Sequence, residues 1–195
     1  MFRVTRIASR LLPPTVRAGA GMAALLVGLA SCSSVQPFQE PFSDESSLVF
    51  GYLDMGGAPS DLRWINMKRI RPLGDRNYYG FNVELGMIYR THVPEGLYKF
   101  HEFGGYSFRL GGIDTTYAFP TQGKHDMDPV IKAPGIYYLG SYKYVKQEAP
   151  ALEIRYTLVK VKEPTEGELL RRLLSRPMHP TWKQKIEQRL KETGK

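Results

Sequence analysis

The residue with the most distinctive chemistry in this 195-residue chain is its single cysteine, Cys32. Four arginines and no acidic residue precede it, and an apolar stretch from Ala18 to Ala30 lies directly upstream. That stretch is shorter than the ~20 residues that a membrane-spanning helix requires. A basic start, a short apolar run and small residues before a cleavage point are typical of a secretory signal. A lone cysteine is most often a small buried hydrophobic residue, but its position here favours a thiol that is exported and modified.

The four residues Leu29-Ala30-Ser31-Cys32 resemble the lipobox of bacterial lipoproteins. The resemblance implies cleavage between Ser31 and Cys32, a diacylglyceryl group on the Cys32 thiol and an acylated amine on the new terminus. Each buried methylene adds ~0.8 kcal/mol, so two or three acyl chains hold a water-soluble domain at a membrane. By analogy with Gram-negative lipoproteins, Ser33 in place of an aspartate implies the outer membrane. The alternative is a plain secretory signal that is cleaved elsewhere.

The four histidines are spaced in a way that disfavours a shared metal ion. They are His92, His101, His125 and His179, with no HxxxH or His-x-His pair among them. A hairpin about residues 94–96 would place His92 opposite Tyr98 or Lys99, and His101 opposite Tyr89 or Arg90. A zinc site needs three or four converging ligands. We therefore expect no metal centre built from histidine.

One loop offers oxygen ligands, but too few of them for calcium. Asp126 and Asp128 lie in a stretch bounded by glycine and proline, whereas a calcium loop supplies about six oxygens. The chain also has no Gly-x-Ser-x-Gly motif, and Gly104-Gly105 and Gly111-Gly112 lack the context of a phosphate loop. We expect a non-enzymatic protein with no catalytic residue, no metal and no cofactor.

The basic charge is partly a property of the predicted signal. Removal of residues 1–31 removes four basic residues and no acidic one, so the net charge falls from +8 to +4. The remaining lysines and arginines form no stripe of the kind that tracks phosphates, which argues against a nucleic-acid partner. Fourteen prolines, 19 glycines and 12 tyrosines indicate a mainly β chain with many turns.

The predicted organisation is a cleaved signal (1–31), a flexible tether (32–46), a β-sandwich (47–161) and a helical segment (162–195). The tether is polar and contains Pro37 and Pro41. The sandwich contains seven to nine short β-rich runs separated by turn residues. Their predicted bounds are 47–54, 62–71, 78–85, 87–93, 97–103, 106–110, 115–119, 135–144 and 151–161.

Alternation within these runs predicts which side chains share a face of a sheet. Four sets follow from it. Tyr79, Phe81, Val83 and Leu85 form the first; Ile136, Tyr138, Tyr142 and Tyr144 the second; Leu152, Ile154, Tyr156 and Leu158 the third; and the polar residues Glu153, Arg155 and Thr157 face outward. Hairpins are predicted about Pro94-Glu95-Gly96 and about Gly111-Gly112.

The end of the chain changes to helical spacing. Thr165 and Glu168 form a capping box ahead of apolar residues at 169, 170, 173 and 174. Thr181 and Gln184 suggest a second box, before a stripe made of Trp182, Ile186 and Leu190. Two short amphipathic helices that cover an open face or an edge of the sandwich are the simplest arrangement.

Two short segments carry a resemblance to a known family. The segment Val93-Pro94-Glu95-Gly96-Leu97-Tyr98 resembles the Pro-x-Gly turn and following tyrosine of carboxypeptidase-regulatory-like, or transthyretin-like, β-sandwich domains. The run Ala133-Pro134-Gly135-Ile136-Tyr137-Tyr138 is similar to a stretch near the end of small sandwich domains in bacterial lipoproteins. The resemblance covers residues 47–161 and implies a fold and a compartment, with no catalytic residues.

The resulting expectation is a lipid-anchored envelope protein that presents a transthyretin- or immunoglobulin-like antiparallel sandwich to a protein partner. One alternative is a domain that binds carbohydrate or peptidoglycan, which requires exposed aromatic residues on one sheet face, with Trp64 as a candidate. Another is an envelope hydrolase, which requires a cleft in which a histidine meets a carboxylate.

Overall fold

The computed structural model describes residues 2–3, 38, 45–74, 77–107, 112–120, 123, 125–148, 150 and 155–194. Two β-sheets face each other in this part of the chain, and two helices follow them. Sheet A has the strand order β1 (Phe2–Arg3), β11 (Arg155–Val161), β10 (Ile136–Gln147), β2 (Ser46–Asp54), β6 (Met87–Pro94) and β5 (Asn82–Glu84). Sheet B has the order β4 (Tyr78–Gly80), β3 (Trp64–Arg71), β7 (Gly96–Ser107) and β8 (Ile113–Ala118), and β9 (Val130–Ile131) also pairs with β7. The helices are α1 (Glu166–Leu174) and α2 (Pro180–Thr193).

The space between the two sheets forms the main core, and aromatic side chains dominate it. Phe103 stacks on Tyr117 at a centroid distance of 5.0 Å, and Tyr144 stacks on Tyr156 at 5.4 Å. Each such ring buries about 150–250 Å². This burial contributes to the stability of a chain whose single cysteine excludes an intramolecular disulfide. The predicted mainly β sandwich with two C-terminal helices is confirmed. The expectation that all its strands pair antiparallel is wrong, because β10 and β2 of sheet A pair parallel.

The predicted hairpin about Pro94-Glu95-Gly96 is wrong. β6 lies in sheet A and β7 lies in sheet B, so this turn carries the chain from one sheet to the other. The Tyr98 hydroxyl donates to the Pro94 carbonyl at 2.7 Å, which fixes the corner. A Cβ on Gly96 would lie 2.7 Å from the Arg71 carbonyl oxygen, so only glycine fits. The cross-strand neighbours predicted for His92 and His101 are therefore wrong as well.

The second predicted hairpin is confirmed. β7 and β8 pair antiparallel, with Ser107 opposite Ile113 at the end that leads into residues 108–112. Two antiparallel neighbours of one sheet that follow each other along the chain form a hairpin.

The predicted strand over 78–85 is divided between the two sheets. β4 pairs with β3 of sheet B, whereas β5 pairs with β6 of sheet A. Phe81 lies buried at the crossing, where its N–H donates to the Ile65 carbonyl at 3.0 Å. Leu85, predicted to face inward, is 88% exposed, because it occupies a turn with φ of +47°.

A β-bulge in β10 changes which side chains face the core. The register against β2 shifts between Tyr138 and Ser141, and Gly140 adopts φ of +103°. Tyr138 consequently packs beneath the helices, whereas Tyr142 and Tyr144 lie between the sheets. The prediction that these three tyrosines share one face is wrong. In β11 the inward positions of Tyr156 and Leu158 are confirmed, and residues 151–154 lie outside the described residues.

The two helices pack on the outer face of sheet A rather than on an edge. The interface joins Leu169, Leu170, Leu173, Trp182 and Ile186 of the helices to Leu48, Phe50, Met87 and Tyr89 of the sheet. We call α1, α2 and the loop between them the helical layer. Arg189 bridges α2 to Glu166 of α1, with Nε 2.8 Å from Oε1.

The capping of the helices follows the sequence at α1 and departs from it at α2. The Thr165–Glu168 capping box of α1 is confirmed. The predicted Thr181–Gln184 box is wrong, because α2 begins two residues earlier than that box requires, at Pro180, with His179 as its N-cap. Proline suits the first helical position, since its fixed φ is helical and the missing N–H would have no partner there.

Trp182→Ala should lower the free energy of unfolding by about 3–5 kcal/mol, because Trp182 is fully buried between α2 and sheet A. Urea denaturation measures the change. The neighbouring exposed residue provides a control, and Lys183→Ala should leave the midpoint unchanged. Equal stability of the Trp182 variant and the wild type would show that the helical layer does not pack on the sheet in solution.

Candidate functional site

The residues predicted to carry the lipid, Ser31 and Cys32, lie outside the described residues. Lipid attachment and cleavage therefore stay predictions. Among the described residues no helix is long and apolar enough to cross a bilayer. Within the predicted tether the structure describes Phe38, Glu45 and Ser46.

The four histidines have separate surroundings. His92 Nδ1 lies 3.4 Å from Ser46 Oγ, and the exposed His101 contacts the ring of Tyr78 at 5.6 Å. His125 Nε2 lies 3.0 Å from the Pro120 carbonyl, and His179 caps α2. Within the described ranges, no group of three or more His, Cys, Asp or Glu side chains is arranged to hold a metal ion.

Asp128 is a structural residue of the loop before β9. It is buried, and its two carboxylate oxygens accept hydrogen bonds from the N–H groups of Phe100 at 2.9 Å and His125 at 3.0 Å. Asp126 is exposed. A carboxylate with two backbone donors has its hydrogen bonds supplied by the protein itself. The two hydrogen bonds of Asp128 therefore connect the loop to β7.

A cleft of about 830 Å³ opens at one end of the sandwich. The segment from β2 to β3 forms one wall, the Leu85–Gly86 turn a second, and the end of β7 a third. Its polar lining mixes both charges and several hydroxyls, from Tyr52, Asp54, Ser60, Asp61, Arg63, Tyr106 and Ser107. Its described lining contains no histidine, and Asp54 is already used, accepting from the Gly56 N–H at 2.7 Å.

A smaller cleft of about 430 Å³ adjoins the first and shares Tyr52 and Asp54 with it. The lining alternates charge, with Lys143 and Arg172 against Glu163 and Glu168. Hydrogen bonds from the Thr165 backbone and side chain lower the pKa of Glu168, because they stabilise its ionised form. The Glu168 carboxylate thus belongs to the cap of α1, where it complements the helix dipole.

The outer face of sheet B has no helix over it among the described residues, in contrast to sheet A. Its side chains are Trp64, Asn66 and Lys68 of β3, Tyr78 of β4, Glu102 of β7 and Thr116 of β8, with His101 beside Tyr78. We call this set the sheet B face. It combines aromatic rings with amide, carboxylate and hydroxyl groups.

The ring of Trp64 lies over Gly104, which is the residue opposite it on β7. A Cβ on Gly104 would lie 2.7 Å from Cζ2 of the Trp64 ring, so the glycine leaves the space that the ring occupies. One side of the indole is thereby packed on backbone, and the side chain remains partly exposed. Such a ring is a preformed platform, because it loses little conformational freedom when a ligand stacks on it.

The two aromatic platforms of the sheet B face are separated along the strand. Tyr78 lies opposite Lys68, four residues from Trp64, which corresponds to about 13 Å of strand. Asn66 lies between them, with Glu102 across the ladder. Lys68 Nζ lies 5.4 Å from the centre of the Tyr78 ring. An elongated ligand would meet a ring at each end and hydrogen-bonding groups in the middle.

Known protein families, curated proteins and solved structures contain no match to this chain. The two clefts and the sheet B face are formed by strands that are far apart in the sequence. The sequence patterns predicted neither cleft. Trp64 was a candidate from its residue type alone. The signal that marks it in retrospect is the Gly104-Gly105 pair, since adjacent glycines within a strand indicate a close approach of other atoms.

The buried tyrosines make stability sensitive to alkaline pH. Burial raises the pKa of Tyr142 and Tyr144 to about 12, and raises the pKa of Tyr98 and Tyr156 as well, because the ionised phenol is poorly solvated between the sheets. In the unfolded chain a tyrosine ionises near pH ~10. The stabilisation is therefore complete below that pH and is lost as the pH rises through the folded-state pKa.

Tyr144→Phe should reduce the loss of unfolding free energy between about pH 10 and pH 12, since it removes one of the groups that ionise only on unfolding. Below pH ~10 the variant should be close to the wild type, because the Tyr144 hydroxyl has no hydrogen-bond partner among the described residues. Urea denaturation across this pH range measures the slope. Tyr78→Phe, on an exposed ring, is the control, and an unchanged slope for Tyr144→Phe would contradict the assignment.

Proposed function

We propose that this chain is a non-enzymatic lipoprotein of the bacterial cell envelope, held at the membrane by acylated Cys32, and that its sandwich is an interaction module for another envelope protein. The observation that carries the proposal is the order of residues before Cys32: basic, then apolar, then Leu29-Ala30-Ser31-Cys32. The chemistry replaces the S–H bond of Cys32 with an S–C bond to a diacylglyceryl group. The phospholipid headgroup departs with the proton, and water then cleaves the bond after Ser31.

The roles of the polar groups support a binding function. Asp128 braces a loop, Glu168 and His179 cap helices, and Arg176 pairs with Glu84 to join the helical layer to sheet A. These charged and titratable residues are engaged in holding the fold. Surface remains on the sheet B face and around the two clefts, where mixed polar and aromatic groups suit recognition of another molecule.

The location within the envelope is part of the proposal. Ser33 follows the acylated residue, which by analogy with Gram-negative lipoproteins favours transfer to the outer membrane, with the sandwich in the periplasm. The chain has one cysteine, so its stability does not depend on an intramolecular disulfide in that oxidising compartment.

Cys32→Ser tests the anchor. In a Gram-negative host the wild-type chain should fractionate with membranes and have the mass of residues 32–195 plus its acyl groups. The variant should be unprocessed or soluble, because serine offers no thiol for the lipid. Ser34→Ala, two residues beyond the acylated position, should behave as the wild type. Membrane partitioning and mass that are unchanged in Cys32→Ser would refute the anchor.

A second candidate function is binding of peptidoglycan or another envelope glycan on the sheet B face. The observation that favours it is the Trp64 ring lying over Gly104, with Asn66 and Glu102 beside it. The negative face of an aromatic ring suits the C–H groups of a sugar, and the amide and carboxylate suit its hydroxyls. The spacing of about 13 Å between Trp64 and Tyr78 would fit a short oligosaccharide rather than one sugar.

Trp64→Ala should weaken co-sedimentation with purified peptidoglycan by about five- to thirty-fold, the effect of losing roughly 1–2 kcal/mol at a central aromatic contact. Trp64→Phe should retain part of the binding, since it keeps a ring on Gly104. Tyr52→Ala, at the clefts, is the matched aromatic control and should bind as the wild type. Equal binding by the Trp64→Ala variant and the wild type would exclude the sheet B face as a glycan site.

A further inference from the structure

Phe38 is attached firmly to the helical layer, although it lies within the predicted tether. Its side chain is 2% exposed, its ring stacks on Tyr89 at 5.3 Å, and it meets the edge of Trp182 at 6.2 Å. Its carbonyl oxygen accepts a hydrogen bond from the His179 N–H at 2.7 Å. Side chain and backbone are both held, so Phe38 is the first described residue after Cys32 that contacts the folded body. The earlier strand β1 pairs with β11 but lies within the predicted signal.

This attachment limits how far the body can lie from Cys32. Phe38 is six positions after Cys32, and an extended chain spans at most about 3.6 Å per residue, so the limit is about 22 Å. If the chain were free as far as Ser46, where β2 begins, the limit would be about 50 Å. Covalent geometry sets both values, whatever path the intervening residues take.

The point of attachment also selects which side of the sandwich lies near the lipid. Phe38 packs between α2 and the outer face of sheet A, so the lipidated end reaches the body through the helical layer. The sheet B face lies on the opposite side, beyond the core between the two sheets. Packed sheets are about 10 Å apart, and a packed helix layer adds about as much again.

The charge of the helical layer is complementary to an anionic bilayer. Residues 166–194 contain seven basic and four acidic side chains, a net charge of +3. Arg171, Lys183 and Lys191 are exposed. Bacterial membranes that contain anionic phospholipids attract such a surface, and the effect acts within about a Debye length, which a short tether permits.

We propose that the helical layer is the membrane-facing surface of this protein and that the sheet B face points away from that membrane. Phe38 keeps the helical layer close to the acylated Cys32, and therefore close to the phospholipid bilayer. The proposal rests on the lipid attachment at Cys32 described above. It assigns Phe38 the role of a clamp that turns a long tether into a short one. Ligands would reach the clefts and the sheet B face from the side of the aqueous compartment.

Tryptophan fluorescence can measure this orientation, because the chain has two tryptophans on different sides, Trp64 and Trp182. The processed full chain is reconstituted into vesicles of phosphatidylethanolamine and phosphatidylglycerol that contain a dansyl-labelled phospholipid. Energy transfer to dansyl should be greater from Trp182, measured in Trp64→Phe, than from Trp64, measured in Trp182→Phe. If Trp182→Phe folds poorly, the energy transfer from Trp64 is obtained by subtracting the transfer measured in Trp64→Phe from that measured in the wild type. Equal transfer, or greater transfer from Trp64, would overturn the orientation.

Two insertions test the clamp, both in the Trp64→Phe background. About ten Gly/Ser residues lengthen the root-mean-square span of the six-residue segment from roughly 13 Å to roughly 22 Å. Inserted after Ser34, ahead of Phe38, they should lower energy transfer from Trp182. Inserted after Glu40, beyond Phe38, they should leave it unchanged. Equal losses from the two insertions, or no loss from the first, would overturn the role of Phe38.

The anchor and the clamp can fail separately. Intact mass of the purified protein reports acylation of Cys32 and judges the proposed function alone. If that thiol is free, it is coupled to a maleimide-bearing lipid, which is selective because it is the single cysteine. The two insertions then test the clamp on the same vesicles. The insertion after Ser34 should again lower energy transfer from Trp182 and the insertion after Glu40 should not, and equal losses would again overturn the role of Phe38.

Discussion

The structure depends on one constraint: sheet A must be covered on both faces. Its central strand β2 is buried almost throughout, with Val49 and Leu53 directed to one side and Leu48 and Phe50 to the other. A strand that is apolar on both faces cannot leave one of them in water. Sheet B covers the first side. The helical layer covers the second, with Trp182 and Phe38 at the centre of the contact, so the C-terminal helices complete the domain.

The two sheets differ in consequence. Sheet A is enclosed, and its polar attachments, such as the pairing of Arg176 with Glu84 and Tyr89, fasten the helical layer to it. The face of sheet B that points away from the core alternates between polar residues, aromatic residues and glycines. Recognition of another molecule requires exposed groups on a rigid support, and a β-sheet with a packed core behind it provides one. The proposed membrane-facing side and the proposed binding side are therefore opposite faces of one sandwich.

The candidate surfaces illustrate the limits of local sequence patterns. The clefts arise where residues 52–63, the turn at Leu85–Gly86 and the end of β7 meet, and these segments are far apart in the chain. No spacing rule connects them. Trp64 was a candidate because it is a tryptophan, but the space that its ring occupies depends on Gly104, which lies across the β3–β7 ladder. Asp128, by contrast, was weighed as a cation ligand, and its backbone hydrogen bonds to Phe100 and His125 became evident only with the loop in place.

The sequence by itself determined the features that rest on local physics. Alternation marked the positions of most strands, the Thr165–Glu168 pair marked the start of α1, and the residues before Cys32 supplied the hypothesis of a lipid anchor. Only the tertiary structure decided which sheet each strand joins, where β10 bulges and which face the helices cover. The physical reason is that alternation specifies which side chains are buried but not against what. A Pro-x-Gly turn serves equally to fold a hairpin or to cross between sheets, and the shared core of the two sheets selects the crossing.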